Sequence, residues 1–506
     1  MAEKLTNEQQ AAVDSRERSL LVSAAAGSGK TKVLVERLFS YVEREGANLD
    51  DFLIITYTRA AASELRGKIA KALTERMERD PGNYHLRQQM LRVYRADIKT
   101  VDAFCTALLR ENCHLLGEDA RGHALRPDFR VLDENEAQVL RERVLARTLD
   151  DFYDCLTPGG TLLADTLGAG RDDSALEDLV LELHAKLQAQ PYEDKWLEAQ
   201  RAFWRAVPDK IEDTPYGKIL LNEVRRKARH CKNLLQRAAQ EMCANDALNQ
   251  KYAPAFLDAS YQLEALEGKT AEGWDAARGV TIAFPRLAAV KDSDGGEMKA
   301  RMKSLWDNCK ETVKGFAEIF SASSDEAVED LRTMASAMLA LIDLTADFSR
   351  RYNEEKRRRN SADFSDQEHE AIRLLIGEDG APTELARIVS ARYREIMVDE
   401  YQDTNEVQNR IFDAISCKGE NLFTVGDVKQ SIYRFRLADP RIFLQHYNTW
   451  PPLEDAEEHD SAKLLLSRNF RSRKEVLDAT NFIFCNILSE EMGELDYGAD
   501  EMLRLG

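Results

Sequence analysis

The chain has 506 residues, which suggests roughly three domains at the usual domain size. Its hydrophobic content of 43% is ordinary for a protein that buries real cores. The formal net charge of −19 argues mildly against nucleic acid, because phosphate contacts need Lys and Arg, although net charge is a poor guide to a local groove. The N-terminus carries no apolar signal segment, and no run approaches the ~18 apolar residues of a membrane helix. We therefore expect a soluble, cytoplasmic protein without a membrane partner.

The eight cysteines are scattered, and none forms a C-x-x-C pair. In a chain of this size without a signal segment, free thiols are the expected state. Three histidines could suggest a metal site, but His114, His123 and His369 share no ligand spacing. We interpret them as surface or core residues, and the sequence gives no support for zinc or iron–sulfur chemistry.

The N-terminal part of the chain alternates short apolar runs with helical stretches. Residues 19–24 and 51–58 are typical of buried strands, and residues 30–45 between them carry apolar residues at helical spacing. A strand–helix–strand order predicts a parallel sheet.

Residues 115–365 have a different character. Long charged segments of helical periodicity predominate, for example 135–156 and 327–359, and they predict a mostly helical domain. Two stretches in this region, 222–237 and 350–360, are strongly basic. They are either solvated helix faces, which is the usual behaviour of charge runs, or a patch that follows phosphates.

The alternating character returns after residue 365. Residues 395–400, 421–427 and 462–470 indicate buried strands with polar groups near their carboxyl ends. The simplest fold is of the α/β class: one parallel sheet flanked by helices and interrupted by a large, mostly α-helical insertion. Ligands of such sheets bind at the carboxyl ends of the strands, where these polar groups fall.

A phosphate-binding loop is predicted directly after the first strand. It follows the pattern G-x-x-x-x-G-K-[ST], with Ala24 in place of the first glycine. Gly27 and Gly29 let backbone N–H groups curl around phosphate oxygens, Lys30 reaches the β- and γ-phosphates, and Thr31 can bind Mg²⁺. The predicted nucleotide site comprises Ala24, Ala25, Ala26, Gly27, Ser28, Gly29, Lys30 and Thr31. A glycine-rich turn without a ligand is the alternative.

Such a loop needs an acidic partner, and "IMVDEYQD" supplies one. Asp399 follows an apolar strand and is placed to hold the water shell of Mg²⁺, while Glu400 can orient or deprotonate the attacking water. An Asp-Glu pair alone is weak support, but after an apolar strand and with a phosphate loop it becomes strong. We expect Lys30 to meet Asp399 and Glu400 around the same magnesium–triphosphate.

The sequence resembles the UvrD/Rep-type superfamily-1 DNA helicases. The matching stretches occur in the family's order: "LTNEQ" (5–9), "AAAGSGKT" (24–31), "ITYTRAAASEL" (55–65), "IKTVDAFC" (98–105), "VDEYQDTN" (398–405), "VGDVKQSIYRFR" (425–436) and "LSRNFRS" (466–472). Within the family, the long helical insertion, residues 425–440 and the ending "YGADEMLRLG" are most similar to the AddA branch of helicase–nuclease proteins.

The resemblance implies a RecA-like P-loop NTPase fold with a particular division into domains. Residues 1–112 and 366–462 would form the first motor domain, residues 113–365 the helical insertion, and residues 463–506 the start of a second motor domain. A complete second motor half and any nuclease domain would then lie beyond residue 506, and the chain would be the N-terminal part of a longer protein.

The resemblance also implies a role for individual residues. Gln9 would read the adenine edge, and Lys32 and Phe470 would flank the base, although many relatives have Arg and Tyr there. Gln430 would sense the γ-phosphate and couple it to DNA, and Arg471 would donate to that phosphate as an arginine finger. The predicted catalytic set is Lys30, Asp399, Glu400, Gln430 and Arg471, with Thr31 and Asp399 at Mg²⁺.

Four residues would lie along single-stranded DNA by the same resemblance: Tyr57, Thr58, Tyr433 and Phe435. Aromatic faces suit a motor that moves on any sequence, because every base has a π-face and each stack contributes ~1–3 kcal/mol. Core packing after a strand is the alternative for each aromatic side chain. Arg434 and Arg436 either hold backbone phosphates or pair with nearby carboxylates.

These implications predict an ATP-dependent DNA helicase that couples hydrolysis of Mg²⁺-ATP to movement on single-stranded DNA. The whole protein would be a helicase–nuclease for double-strand break repair and recombination, acting on single- and double-stranded DNA with a partner subunit that is AddB-like. Two alternatives stay open. One is a catalytically weak nucleotide-binding scaffold of a DNA repair complex, and the other is a P-loop ATPase or kinase unrelated to DNA.

Overall fold

The computed structural model describes residues 5–119, 121–167, 174–416, 419–432, 438–489 and 495–506, with the backbone alone for residues 292–295. The strands are β1 Leu20–Ala24, β2 Phe52–Thr56, β3 Asp97–Thr100, β4 Arg130–Val131, β5 Ser361–Ala362, β6 Glu395–Val398, β7 Leu422–Gly426, β8 Ala462–Leu466, β9 Arg468–Asn469 and β10 Arg504–Leu505.

The helices before residue 270 are α1 Asn7–Asp14, α2 Lys30–Arg44, α3 Arg59–Arg79, α4 Tyr84–Arg92, α5 Val101–Asn112, α6 Glu134–Asp154, α7 Pro158–Leu167, α8 Ser174–Gln188, α9 Glu193–Arg205, α10 Pro215–Met242, α11 Asp246–Lys251 and α12 Ala253–Lys269. The later helices are α13 Trp274–Arg278, α14 Asp292–Ile319, α15 Ser324–Arg358, α16 Phe364–Leu375, α17 Glu384–Arg392, α18 Glu406–Ile415, α19 Pro440–Thr449 and α20 Lys474–Ile487. In the described residues, no helix has the length and apolar character needed to cross a membrane.

Six strands form one parallel sheet in the order β3-β2-β6-β7-β1-β8. Strands β1, β2, β6 and β7 are buried along their whole length, as expected where helices cover both faces of a parallel sheet. The prediction of an α/β fold with a parallel sheet flanked by helices is therefore confirmed. Strand β8 pairs with β1 from Ala462 to Leu466 and so crosses the boundary that the resemblance placed between residues 462 and 463.

Successive side chains of the strands enter two separate hydrophobic cores, because side chains alternate between the faces of a sheet. Leu21 and Ile55 belong to the core that also contains residues of α5, α16 and α18. Leu20 and Ile54 belong to the opposite core, with residues of α2 and α3. Both faces are thus filled with apolar side chains, and polar chemistry is confined to the strand ends.

The chain divides into two compact units. The sheet unit takes in the described residues of 1–154, 174–196 and 344–506, and the helical unit those of 155–173 and 197–343. The helical unit has its own core around α10, α12 and α14, in which the rings of Phe256 and Trp306 stack at a centroid distance of 4.8 Å. The division into four segments drawn from the resemblance stays a prediction.

Candidate nucleotide-binding site

The loop between β1 and α2 takes a conformation that requires glycine at two positions. Gly27 and Gly29 have φ angles of +70° and +87°, in the left-handed region that other residues rarely occupy. Gly29 is the N-cap of α2, so Lys30 and Thr31 stand in the first helical turn. The loop residues from Ala24 to Thr31 therefore curl around the positive end of a 15-residue helix, a geometry that favours a bound anion.

Lys30 and the acidic couplet are brought together by the strand order. β7 is the one strand between β1 and β6, so the carboxyl ends of β1 and β6 lie near one another. Lys30 Nζ donates to Glu400 Oε2 at 2.6 Å across a separation of 370 residues. Asp399 follows β6 directly, and its backbone N–H donates to Ile55 O at 3.0 Å.

The carboxylates of this site are crowded. Burial, reinforced by the charge of Glu400, raises the pKa of Asp399 and of Asp403 to about 6. Asp403 Oδ1 and Ser28 Oγ are buried and have no hydrogen-bond partner among the described residues. Carboxylate and hydroxyl oxygens are the donors that Mg²⁺ prefers. The residues present thus fit a magnesium–phosphate group, with Thr31 and Asp399 as the predicted protein ligands.

Gln430 is linked to the acidic couplet through two residues that the sequence analysis missed. Gln402 is buried, donates from Nε2 to Glu400 Oε2 at 2.9 Å, and accepts from the Asp427 N–H at 2.9 Å. Asp427 Oδ2 in turn accepts from Gln430 Nε2 at 2.7 Å. The approach is so close that a side chain at Gly426 would place its Cβ 2.5 Å from Gln402 Oε1. A polar residue directly after a predicted strand was the signal for both Gln402 and Asp427.

A second lysine extends this network to the end of the chain. Lys429 Nζ contacts Asp427 Oδ1 at 3.0 Å and also pairs with Glu501, and all three residues are buried or nearly so. Glu501 Oε1 also accepts from the Tyr447 hydroxyl at 2.6 Å. The sequence analysis noted the ending "YGADEMLRLG" as similar to one family branch but assigned no residue in it.

A small pocket beside the phosphate loop brings Gln9 and Phe470 together. It is lined by Thr6, Glu8, Gln9, Ser28, Leu466, Ser467, Arg468 and Phe470. Gln9 Nε2 donates to Ser28 O at 2.8 Å, and Gln9 Oε1 accepts from the Thr6 N–H at 3.1 Å. The Phe470 side chain is 53% exposed. Lys32, in the first turn of α2, is not among the described residues that line this pocket.

Arg471 follows Phe470 in a turn next to the loop. Its side chain is exposed and forms no ion pair with a described residue. Its backbone N–H donates to Asn469 Oδ1 at 2.8 Å. The predicted arginine finger is thus near the phosphate loop in the chain's fold, although its guanidinium is not held in place.

The predicted DNA contacts are less complete. Tyr57 is half-buried against the core of the sheet unit, and its hydroxyl lies 2.5 Å from Thr404 Oγ1. Burial raises the pKa of this hydroxyl. Thr58 is exposed and caps α3 by accepting from the Ala61 N–H at 3.0 Å. Tyr433 and Phe435, together with Arg434 and Arg436, lie outside the described residues.

Both basic stretches are neutralised by nearby acids. On α10, Arg226 and Lys227 pair with Glu223, while Arg229 and Lys232 pair with Glu267 of α12. Near the end of α15 the same holds for Arg350, Arg351, Lys356, Arg357, Arg358 and Arg359, each of which pairs with an Asp or Glu. This pairing favours structural helix faces over a phosphate-following patch.

Comparison with known proteins places this site in a family context. The model of the UvrD/REP helicase N-terminal domain matches residues 5–451. Proteins named as the AddA-type subunits of ATP-dependent helicase/nucleases are similar over 99% of this chain: that of Ruminiclostridium cellulolyticum is 35% identical, and that of Acetivibrio thermocellus 36%. The protein of that name from Desulfitobacterium hafniense is 37% identical, also over 99% of the chain. The chain covers 41% of the first two relatives and 37% of the third.

Proposed function

The chain belongs to the UvrD/REP helicase family, and from this premise we propose that it is the ATP-hydrolysing motor segment of a DNA helicase. Its substrates are Mg²⁺-ATP and single-stranded DNA, along which it moves. The name of the relatives extends the proposal: the whole protein is a helicase–nuclease that processes double-strand breaks for repair and recombination, in the cytoplasm. Because those relatives are named as subunits, the proposal includes a partner, which we propose to be AddB-like.

The observation that carries the proposal is the contact between Lys30 and Glu400, at the ends of strands distant in sequence. Lys30 binds the β- and γ-phosphates once nucleotide enters, and thereby releases Glu400. Glu400 then accepts a proton from the attacking water as its oxygen bonds to the γ-phosphorus and the bond to ADP breaks. When bound at Thr31 and Asp399, Mg²⁺ neutralises charge on the phosphate oxygens.

Two further groups complete the proposed site. The pocket that contains Gln9 and Phe470 receives the adenine, with Lys32 near the base. Arg471 donates to the γ-phosphate, a contribution that is worth about 10³–10⁵ in rate where arginine fingers have been measured.

Coupling to DNA is proposed to pass through the segment that holds Gln430. The chain of contacts Glu400–Gln402–Asp427–Gln430 connects the hydrolytic carboxylate to this segment. Directly after it in sequence come Tyr433 and Phe435, which we propose stack on bases together with Tyr57, with Thr58 at the strand's backbone. Hydrogen bonds rather than base-edge contacts thus link the two activities.

The test is Lys30→Ala, with Lys251→Ala as a matched control. Lys251 also lies on a helix and makes one defined contact, to Ala289 O at 2.8 Å. ATP affinity is measured by equilibrium titration, and ATPase is measured with and without single-stranded DNA, in this chain and in any longer polypeptide that contains it. Lys30→Ala should lower ATPase by about 10²–10³-fold with an unchanged circular dichroism spectrum. Wild-type-like ATPase in Lys30→Ala would overturn the assignment, and ATP binding without DNA stimulation would favour a nucleotide-binding scaffold.

A further inference from the structure

We infer that Asn469 is a positioning residue that ties the phosphate loop to the turn bearing Phe470 and Arg471. This inference rests on the proposed nucleotide-binding function and deepens it. Phe470 and Arg471 were assigned roles from the sequence, whereas the asparagine before them was not.

The Asn469 side chain uses its donor on one structure and its acceptor on the other. The residue is 3% exposed. Its Nδ2 donates to Ala26 O in the phosphate loop at 2.6 Å. Its Oδ1 accepts from the backbone N–H groups of Arg471 and Ser472 at 2.8 and 2.7 Å. One buried amide therefore satisfies three backbone groups from two segments that are far apart in the chain, as the separation of 443 residues between Asn469 and Ala26 shows.

The loop is shaped to receive this amide. A Cβ at Gly27 would lie 2.8–2.9 Å from Asn469 side-chain atoms, so Gly27 is needed for close approach as well as for its positive φ. A second bond runs in parallel, because the Phe470 N–H donates to Gly27 O at 2.9 Å. Two consecutive loop carbonyls, those of Ala26 and Gly27, are thus held by residues 469 and 470.

Anchoring these carbonyls orients the loop. In a trans peptide the C=O and the following N–H point in opposite directions. Fixing Ala26 O on Asn469 therefore turns the Gly27 N–H away from the turn, and this N–H has no hydrogen-bond acceptor among the described residues. A preorganised donor of this kind is what a phosphate oxygen requires. The same amide sets the positions of Arg471 and Ser472, so movement of the loop on phosphate binding is transmitted to the turn.

Asparagine suits this position because it combines a donor and an acceptor on one short side chain. Aspartate retains the acceptor for Arg471 and Ser472 but places an oxygen against Ala26 O. Alanine removes both sides. Comparing the two variants therefore separates the link to the loop from the support of the turn.

The experiment measures ATP dissociation constants and melting temperatures for Asn469→Asp, Asn469→Ala and the control Asn481→Ala. Asn481 makes the same kinds of contact in the same part of the chain: Nδ2 donates to Leu503 O, and Oδ1 accepts from the Tyr497 hydroxyl and the Leu503 N–H. Those partners lie outside the phosphate loop. Asn481→Ala should thus lower the melting temperature without changing ATP affinity by more than about twofold, a change of under 1 kcal/mol.

We expect both Asn469 variants to weaken ATP binding about tenfold, which is the effect of one buried hydrogen bond lost. An equal loss in Asn469→Asp and Asn469→Ala assigns the effect to the loop side. Wild-type affinity in Asn469→Asp, or an equal loss in Asn481→Ala, overturns the inference while ATP binding by the wild type still supports the proposed function. If the wild-type chain itself binds no ATP in a Lys30-dependent manner, the proposed function and this inference fail together.

Discussion

Two regions of the molecule are dense in charge, and they differ in where the partners come from. On α10 the basic residues pair within the same helix or with α12, for example Arg229 Nε with Glu267 Oε1 at 2.8 Å. At the strand ends, Lys30 meets a carboxylate 370 residues away, beside a buried Asp403 oxygen that has no described partner. A run of charge that is visible in the sequence is neutralised by its neighbours, whereas a cluster assembled by the sheet keeps unsatisfied groups. Unsatisfied groups, more than charge density, mark the site.

The two regions also differ in how much each ion pair should matter. Arg37 and Glu395, in the sheet unit, have side chains that are 0% and 2% exposed, and the guanidinium also donates to Ala12 O. The α10 pairs retain access to water, since the Arg229 side chain is 47% exposed. Solvent screens exposed pairs, while a buried charge that loses its partner bears its full desolvation cost. Substitutions in the two regions should therefore separate clearly.

The largest effect is expected for Arg37→Ala. It leaves the Glu395 carboxylate buried with the Tyr41 hydroxyl, at 3.0 Å, as its remaining side-chain donor, and it should destabilise the sheet unit by about 3–5 kcal/mol. Arg44→Ala on the same helix is the matched control: Arg44 and Asp14 form a 2.7 Å pair with side chains 60% and 42% exposed, and its loss should cost about 1 kcal/mol or less. Hydrogen exchange of β6 and α10 amides measures both units at once. Equal effects of the two substitutions would contradict the distinction drawn from burial.

A pH-dependent effect of intermediate size is expected at Glu368. Burial, assisted by the charge of Asp102, raises the pKa of Glu368 from 4.5 to about 7, which corresponds to on the order of 3 kcal/mol. Because the folded state holds the proton more tightly than the unfolded state, stability falls as pH rises from about 4.5 through 7. Glu368→Gln removes this loss, so its melting temperature should exceed that of the wild type at pH 8 and approach it at pH 5. Asp366, whose pKa is also raised to about 7, is retained in both proteins, so the difference reports on Glu368. A difference that does not vary with pH would rule out titration as its origin.

Much of this architecture could be predicted from residue pattern, because buried strands and amphipathic helices have distinct periodicities. Strand β3 was missed: in Asp97–Thr100 two buried residues alternate with two half-buried ones, too short a signal beside the longer apolar runs. The loop residues Lys30 and Gly29 were predicted because their chemistry is tied to a fixed spacing. Gln402 and Asn469 were missed because each acts through hydrogen bonds to distant backbone or side-chain groups, which no local pattern records.

Tyr57 shows the opposite failing, in which a residue type suggests more than one role. An aromatic residue after a strand is equally suited to base stacking and to core packing, and its hydroxyl contact with Thr404 Oγ1 is visible in the folded chain alone. That contact ties Tyr57 to the segment of the acidic couplet whether or not its ring also meets DNA.

The smallest effect is expected in the helical unit, and with the opposite sign of pH dependence. Although partial burial opposes it, hydrogen bonds from Lys232 and Arg229 hold the pKa of Glu267 below its ordinary value. The stabilisation is therefore present above pH 4.5 and is lost as pH falls through the lowered pKa. Glu267→Gln should cost about 1 kcal/mol or less at pH 7, less at low pH, and less again in 1 M salt, where exposed charges are screened. Melting curves of the two glutamate variants across pH and salt sharpen the comparison: Glu368→Gln gains stability with rising pH, Glu267→Gln loses it, and salt should diminish the second effect alone. A salt-insensitive loss at Glu267 would mean that this pair is buried like that of Arg37, and that the contrast between the two charged regions is one of sequence distance alone.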